Sequence, residues 1–313
     1  MPLPVHPQHQ TNHPPPPDFT EYRRTYGGFR KGKYMFPIDE DEMDRMDIYH
    51  KFFSVARNEA LHSTVFTPNY DKGPRVLDLG CGTGIWAIDM AEKYHHQQVE
   101  VKGVDLALIQ PAEIPPGLVF SQRDIESPWY WCEVDSWDLI HMRMLAGSIS
   151  SWPETYAQIF RHLKPIYGWM EHVEIDMEPR CDDGTLSPDS SIVQWTKLLF
   201  DATAKAYRPL AYNHETGAML QRLGFVDVSE QVIKVPLNPW EHDPHLKDIG
   251  RWYNLGLTQG LDALTTAPLT RMSGWSKEDV DILVANVKRE ICSKKIHVYC
   301  NMHIWIARRP ADA

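Results

Sequence analysis

Three glycines in five positions, Gly80, Gly82 and Gly84, constrain this chain more than any other feature, because they separate two different hydrophobic periods. Residues 75–91 read Arg-Val-Leu-Asp-Leu-Gly-Cys-Gly-Thr-Gly-Ile-Trp-Ala-Ile-Asp-Met-Ala. Val76, Leu77 and Leu79 make the short apolar run of a strand buried on both faces, and Ile85, Ile88 and the Met90/Ala91 pair then recur at helical spacing. Strand, glycine loop and helix are therefore predicted in succession. Glycine lets the backbone turn sharply and approach a ligand with no Cβ in between, and it aims the first free N–H groups of the helix at that ligand. The expected ligand is nucleotide-like.

The surroundings of the loop select among nucleotides. A dinucleotide fold uses G-x-G-x-x-G, with the pyrophosphate on the helix N-terminus. Here the spacing is G-x-G-x-G, and Asp78 stands two residues before the first glycine, where it repels a pyrophosphate and attracts an ammonium group. Residues 99–105 read as a second strand ending on Asp105, which lies 21 residues beyond Gly84 and can take both ribose hydroxyls. Residues 118–122 read as a third strand, followed by Arg-Asp-Ile, which puts Asp124 and Ile125 in place as acceptor and apolar wall for an adenine. Cys81 and Leu106 adjoin these positions and complete the expected contacts. A ligand with an ammonium group, a ribose and an adenine is S-adenosylmethionine.

At these residues the chain resembles the α/β, Rossmann-like class I methyltransferases, and one branch of them more closely, the fungal LaeA family. The resemblance runs from about residue 24 to residue 309. It is carried by Arg-Thr-Tyr-Gly-Gly-Phe-Arg-Lys-Gly-Lys-Tyr-Met-Phe-Pro, Asp-Arg-Met-Asp-Ile-Tyr-His-Lys-Phe-Phe, the glycine loop, Glu-Ile-Asp-Met-Glu-Pro-Arg-Cys-Asp-Asp, Pro-Leu-Asn-Pro-Trp and Arg-Trp-Tyr-Asn-Leu, in that order. It implies a seven-stranded, mostly parallel sheet with an antiparallel last strand and a small helical cap. It also implies a methyltransferase-like regulator of secondary metabolite clusters and sporulation, in the nucleus and also the cytoplasm, associated with a velvet-family protein. Its methyl acceptor would be a protein or a small molecule. One departure is visible: where the family has Lys/Arg-Pro-Gly-Gly-Trp, this chain has Lys-Pro-Ile-Tyr-Gly-Trp at residues 164–169.

Composition agrees. With 313 residues, 42% of them hydrophobic, the chain can bury one large core, or a core plus a modest cap. Its 32 basic and 42 acidic residues give a formal charge of -10, the wrong sign for holding nucleic acid by phosphate neutralisation, so no direct nucleic-acid partner is expected. Cys81, Cys132, Cys181, Cys292 and Cys300 lack C-x-x-C spacing, which argues against a disulfide framework or a metal centre and for a reducing intracellular compartment. No apolar run approaches the roughly 18 residues a membrane span needs, and the N-terminus has no signal-type apolar core. A soluble protein is expected.

In chain order, residues 1–21 are rich in proline and histidine and are expected to form a disordered tail, with His6, His9 and His13 solvated. Residues 22–72 comprise an arm and a helix. The arm, 22–37, is too aromatic for a linker: it packs on the domain, or Tyr26, Arg30 and Tyr34 lie over the cofactor mouth. Its basic residues form a weak nuclear-localisation patch. An amphipathic helix is predicted over 39–64, with acids in its first turns, lying near the cofactor. Residues 73–310 form the methyltransferase domain, with 238–275 as a Trp-rich cap insertion serving core packing or substrate recognition.

Within that domain a short helix is expected over 126–135 and a fourth strand over 136–144. The strand end offers His141, Arg143 and Met144, with no Asn-Pro-Pro-Tyr, which disfavours nucleobase N-methylation. His141 is the sole catalytic candidate, with contact to the cofactor, service as a base and a structural role all open. Helices follow over 152–163, 187–207, 213–223 and 276–292, and strands over 169–176, 225–237 and 295–307. The acids Glu171, Glu174, Asp176, Glu178, Asp182 and Asp183 form either a receptor for a cationic side chain or a solvated edge. Two classes of function stay open beside the small-molecule O-methyltransferase: a methyltransferase of a protein acceptor, and a scaffold that binds cofactor without turnover.

Overall fold

The computed structural model describes residues 16–64 and 73–311. The disorder expected of residues 1–15, with their histidines, lies outside the described residues. The expected tail boundary at residue 21 does not hold. Strands β1 (Phe19–Glu21) and β2 (Arg24–Tyr26) form an antiparallel hairpin whose turn residues, Tyr22 and Arg23, both have positive φ, as two-residue hairpin turns require. Arg24 forks onto Asp39 at 2.8 and 2.7 Å.

Helix α1 (Glu40–Ala56) is capped by Asp39, which accepts from the N–H of Glu42, and Glu40, Asp41 and Glu42 complement its dipole. It stops eight residues before the expected end at 64, because Asn58 and Glu59 take left-handed backbone angles. The expected strand, loop and helix follow as β3 (Arg75–Leu79) and α2 (Ile85–Lys93), then β4 (Glu100–Asp105) and β5 (Leu118–Gln122). No helix forms over 126–135; this stretch is a chain of turns, in which Trp129 is buried and donates to the carbonyl of Ile125. Next come β6 (Leu139–Arg143), α3 (Trp152–His162) and β7 (Trp169–Ile175). In the altered turn before β7, Ile166 takes the left-handed conformation (φ 70°), and its N–H is held by the carbonyls of Arg309 and Pro310.

The chain continues through α4 (Ser191–Lys205), α5 (Thr216–Arg222), β8 (Val226–Pro236), α6 (Pro244–Ser273), α7 (Lys277–Ile291) and β9 (Tyr299–Arg308). The sheet order is β5-β4-β3-β6-β7-β9-β8, with β9 antiparallel to both its neighbours and the other neighbouring pairs parallel. The seven-stranded methyltransferase-type sheet is therefore as expected. Two apolar layers sandwich it: α3 and α5 cover Leu77, Leu79, Ile140 and Met142, while α2 covers Val76, Val101 and Leu139 on the other face. The direction of the chain reverses between β4 and β6, on either side of β3, and an open α/β sheet forms its crevice at such a point.

The cap insertion is a loop and one 30-residue helix, α6, packed into the largest core cluster together with α1, α4 and α7. Trp252 and Trp275 pack against that core and Trp240 donates to the carbonyl of Val298, so these tryptophans are structural. The acidic cluster divides: Asp182 and Asp183 are exposed and Glu178 half-buried, as a solvated edge would have them, while the three acids in and just after β7 are neither solvated nor an open receptor. Glu171, Glu174 and Asp176 are buried and paired, Glu171 with both terminal nitrogens of Arg57 at 2.8 and 2.9 Å, Asp176 with Arg180 and His303. Burial opposes ionisation of Glu171, but the guanidinium of Arg57 more than offsets it and holds the carboxyl below its ordinary pKa.

Glycines set how closely α6 approaches α1. A Cβ on Gly256 would lie 2.3 Å from Tyr49, and one on Gly260 2.5 Å from Arg45. Alanine at an exposed helical position would stabilise relative to glycine. At Gly256 the sign reverses: Gly256→Ala is expected to lower stability by about 1–3 kcal/mol through overpacking, seen as a lower urea midpoint at unchanged slope.

Candidate functional site

A cavity opens at the C-terminal ends of β3, β4, β5 and β6, roofed by α1, α6 and the arm. Ten predicted residues line it: Asp78, Gly80, Cys81, Gly82, Asp105, Leu106, Asp124, Ile125, Tyr34 and His141. Three do not. Gly84 faces the opposite way, where a Cβ would meet the ring of Phe120 at 2.3 Å; its φ of 81° makes it the turn into α2. Tyr26 is buried with Met35 and Ala267, beneath the guanidinium of Arg271, because the hairpin turns its ring into that small cluster. Arg30 stays outside the cavity wall, its Nε 3.4 Å from Asp124.

The glycine loop is built for close approach. Gly80 and Cys81 both donate to the carbonyl of Val104, and Gly80, Gly82 and Gly84 all have positive φ. A Cβ on Gly80 would collide with Leu145 at 2.4 Å. Asp105 is drawn to the same loop: Oδ2 accepts from the N–H of Gly82 and Oδ1 from that of Ala107, both at 2.9 Å. Burial raises its pKa despite these bonds. Asp124 borders the cavity but also anchors the arm. Its Oδ2 takes Lys33 Nζ at 2.6 Å and the Ser127 hydroxyl at 2.9 Å. Burial opposes its ionisation, and Lys33 and Ser127 still hold its carboxyl below the ordinary value.

Asp78 and His141 form the polar centre. Asp78 Oδ1 is 2.8 Å from His141 Nδ1, and the imidazole lies flat on Trp86, centroids 3.7 Å apart. Burial pushes Asp78 up to about 7 and His141 well below its ordinary value. Both shifts favour the neutral partners, so the contact is a hydrogen bond sharing one proton, not an ion pair. Desolvation thus penalises the charged form of Asp78 by more than the nearby Arg143 and His50 favour it. His141 has one nitrogen on Asp78 and the other, Nε2, buried without a hydrogen-bond partner among the described residues and 3.9 Å from Glu171. Pinned in this way, the imidazole orients Asp78.

Several lining residues escaped the sequence reading. Met46, Tyr49 and Phe53 of α1 reach the cavity, and their i, i+3, i+7 spacing was the available signal for that face. Thr83 clamps the glycine loop to α1 through Asp47 at 2.7 Å. Leu264 reaches in from α6 beside Tyr253, an aromatic of the expected cap over the substrate opening, and Glu174 fixes the loop after β6 by accepting from the N–H groups of Leu145 and Ala146.

The residues fit S-adenosylmethionine. Its ammonium group would supply the charge that desolvated Asp78 lacks, its ribose the donors that Asp105 can still accept, and Leu106 and Ile125 give apolar walls for the ring. At Gly80 and Gly82 the glycine loop supplies a surface where a Cβ would crowd Leu145 and Met46 of the cavity wall.

Comparison with known proteins agrees with this geometry. A model of the methyltransferase domain matches residues 49–230. The chain is 59% identical to the secondary metabolism regulator LAE1 of Cochliobolus heterostrophus, over 94% of this chain and 95% of that one. It is 48% identical to the secondary metabolism regulator laeA of Aspergillus fumigatus, over 94% and 77% of the two chains. It is 46% identical to the protein-methionine methyltransferase laeA of Emericella nidulans, over 93% and 76%.

The protonation of Asp78 gives a pH dependence of fixed sign. An unfolded aspartate ionises near 3.9 and the buried one at about 7, so this group's contribution to the unliganded fold is lost as pH rises between those values. Ionised Asp78 is the form that pairs with an ammonium group. The rise in melting temperature caused by S-adenosylmethionine is therefore expected to grow from pH 6 to pH 8, with affinity changing by up to about tenfold per pH unit below 7. In Asp78→Asn the rise should be small and flat over the same range.

Proposed function

Since this chain belongs to the methyltransferase-domain family of LaeA and LAE1 secondary-metabolism regulators, we propose that it methylates a protein acceptor in the nucleus, in company with a velvet-family protein. It is a methyltransferase, and its cofactor is S-adenosylmethionine. The finer reading, a methionine thioether as acceptor, rests on one observation: His141, the imidazole that lines the cavity, is a weak base, its pKa held well below the ordinary value by burial. His141 is buried and held by Asp78 and Trp86, and Asp78 is itself engaged.

When bound, the cofactor supplies a methyl group already activated on a positive sulfur. The protein then has to position the acceptor, exclude water and, for a hydroxyl or ammonium acceptor, remove a proton. A thioether gives up no proton on methylation. The walls beyond the cofactor positions suit it: Phe36, Tyr49, Phe53, Met177, Leu210 and Tyr253 offer an apolar, aromatic channel for a long unbranched side chain. A product sulfonium would face the rings of Tyr49 and Tyr253, stacked with centroids 5.8 Å apart. The name of the Emericella nidulans relative points to the same acceptor class. The family resemblance supports the velvet partner and the nuclear site.

The test is incubation of the full chain with methyl-labelled cofactor, with and without a velvet-family protein and a nuclear extract. Label in protein, recovered as S-methylmethionine after digestion, is the expected outcome, with a rate at saturating cofactor that stays flat from pH 7 to 9. Label in an extractable metabolite would instead identify a small-molecule O-methyltransferase. If Gly80→Leu abolishes cofactor binding by calorimetry yet restores metabolite regulation in a deletion strain, the protein is a scaffold and the enzymatic reading of its regulatory role fails.

A further inference from the structure

We infer that Arg143 is the receptor for the carboxylate of the donor's amino-acid end, acting beside Asp78 as receptor for its ammonium group; this rests on the cofactor reading above and deepens it. Arg143 ends β6 and lines the cavity. Neighbouring buried guanidinium groups have carboxylate partners: Arg45 forks onto Glu42 at 2.9 and 2.5 Å, Arg57 onto Glu171, and Arg208 meets Glu126 at 2.7 Å. Among the described residues no carboxylate oxygen lies within 4.0 Å of Arg143; Nη2 has a 3.3 Å contact with His50 Nδ1.

Its surroundings hold the group in place without neutralising it. The guanidinium sits over the ring of Phe53 at 4.5 Å, and His50 is itself fixed by Asp89, 2.9 Å from its Nε2. A buried cation without a counter-charge is unfavourable, and burial pulls the pKa of Arg143 down to about 10. Among nearby charges, Asp78 favours the charged form of Arg143 most, and Arg143 does the same for Asp78. The two nevertheless stay apart. The guanidinium of Arg143 and the carboxyl of Asp78 therefore face one cavity from adjacent strands with no ion pair between them, and once Asp78 ionises the two are the complement of a zwitterion whose ammonium and carboxylate share one carbon. A planar guanidinium suits a carboxylate in particular, since it presents two parallel N–H groups.

Calorimetry on the full chain, without acceptor, tests this with two ligands: S-adenosylmethionine and its decarboxylated form, which lacks only the carboxylate. The wild type should prefer the carboxylated ligand by roughly 10- to 100-fold, the range of a charged hydrogen bond. In Arg143→Met that preference should fall to within about threefold, with affinity for the decarboxylated ligand little changed. The unliganded variant should melt at or above the wild-type temperature, because an uncompensated charge has been removed. A preference that survives in Arg143→Met, or one that is lost instead in Arg45→Lys, overturns the assignment. If the methionine variant fails to fold, Arg143→Lys is measured in its place: it should show an intermediate preference, and an undiminished one overturns the proposal. Failure of the wild type to bind either ligand would sink the cofactor reading itself, and this inference with it.

Discussion

The docking of α1 across the sheet is the constraint on which both the fold and the cavity depend. The helix is tied near its middle to the glycine loop by Thr83 and Asp47, and the turn after its C-terminal end to β7 by the buried fork of Arg57 on Glu171. On the same helix, Met46, Tyr49, His50 and Phe53 face the strand ends. Breaking the Arg57 fork would leave an uncompensated buried charge, a loss on the order of 3–5 kcal/mol in comparable pairs. The helix also removes water from Asp78 and Arg143. Desolvation makes a carboxyl and a guanidinium that form no ion pair with one another responsive to a zwitterionic ligand, so the packing that stabilises the domain also sets its selectivity.

Much of this was legible in the sequence wherever the signal was local. The change of period around Gly80, Gly82 and Gly84 marked a strand end and a helix start, and Asp105 followed at the distance one crossover requires. Ser276 and the acids after it announced α7, whose N-cap accepts from the N–H of Asp279. What failed was tertiary. Nothing in the glycine pattern says that Gly84 faces Phe120 while Gly80 and Gly82 face the cavity. The arm's alternating aromatic and basic residues gave no means of telling Tyr34, which enters the cavity, from Tyr26, which the hairpin turns away. Glu171 and Asp176 read as a receptor or a solvated edge and not as buried pairs, because their partners, Arg57 and His303, lie 114 and 127 residues away along the chain.

The altered turn at residues 164–169 shows how such a departure is absorbed. Ile166 takes a backbone conformation that glycine adopts without steric cost, and two carbonyls near the C-terminus hold its N–H. Long-range hydrogen bonds thus do the work of a residue's conformational freedom, and β7 leaves the turn in the register of the family sheet.

The hairpin has a consequence of its own. Glu21 grips Arg271 on α6 and Arg24 grips Asp39 at the head of α1, so the stretch from Gly27 to Ile38 is a strap riveted at both ends. Its middle is clipped to the rim by Lys33 on Asp124. A strap fixed at both ends cannot swing aside as a free flap: it can part from that rim only by bowing outward between its rivets, and only as Lys33 and Arg30 release the carboxylates of Asp124 and Glu126.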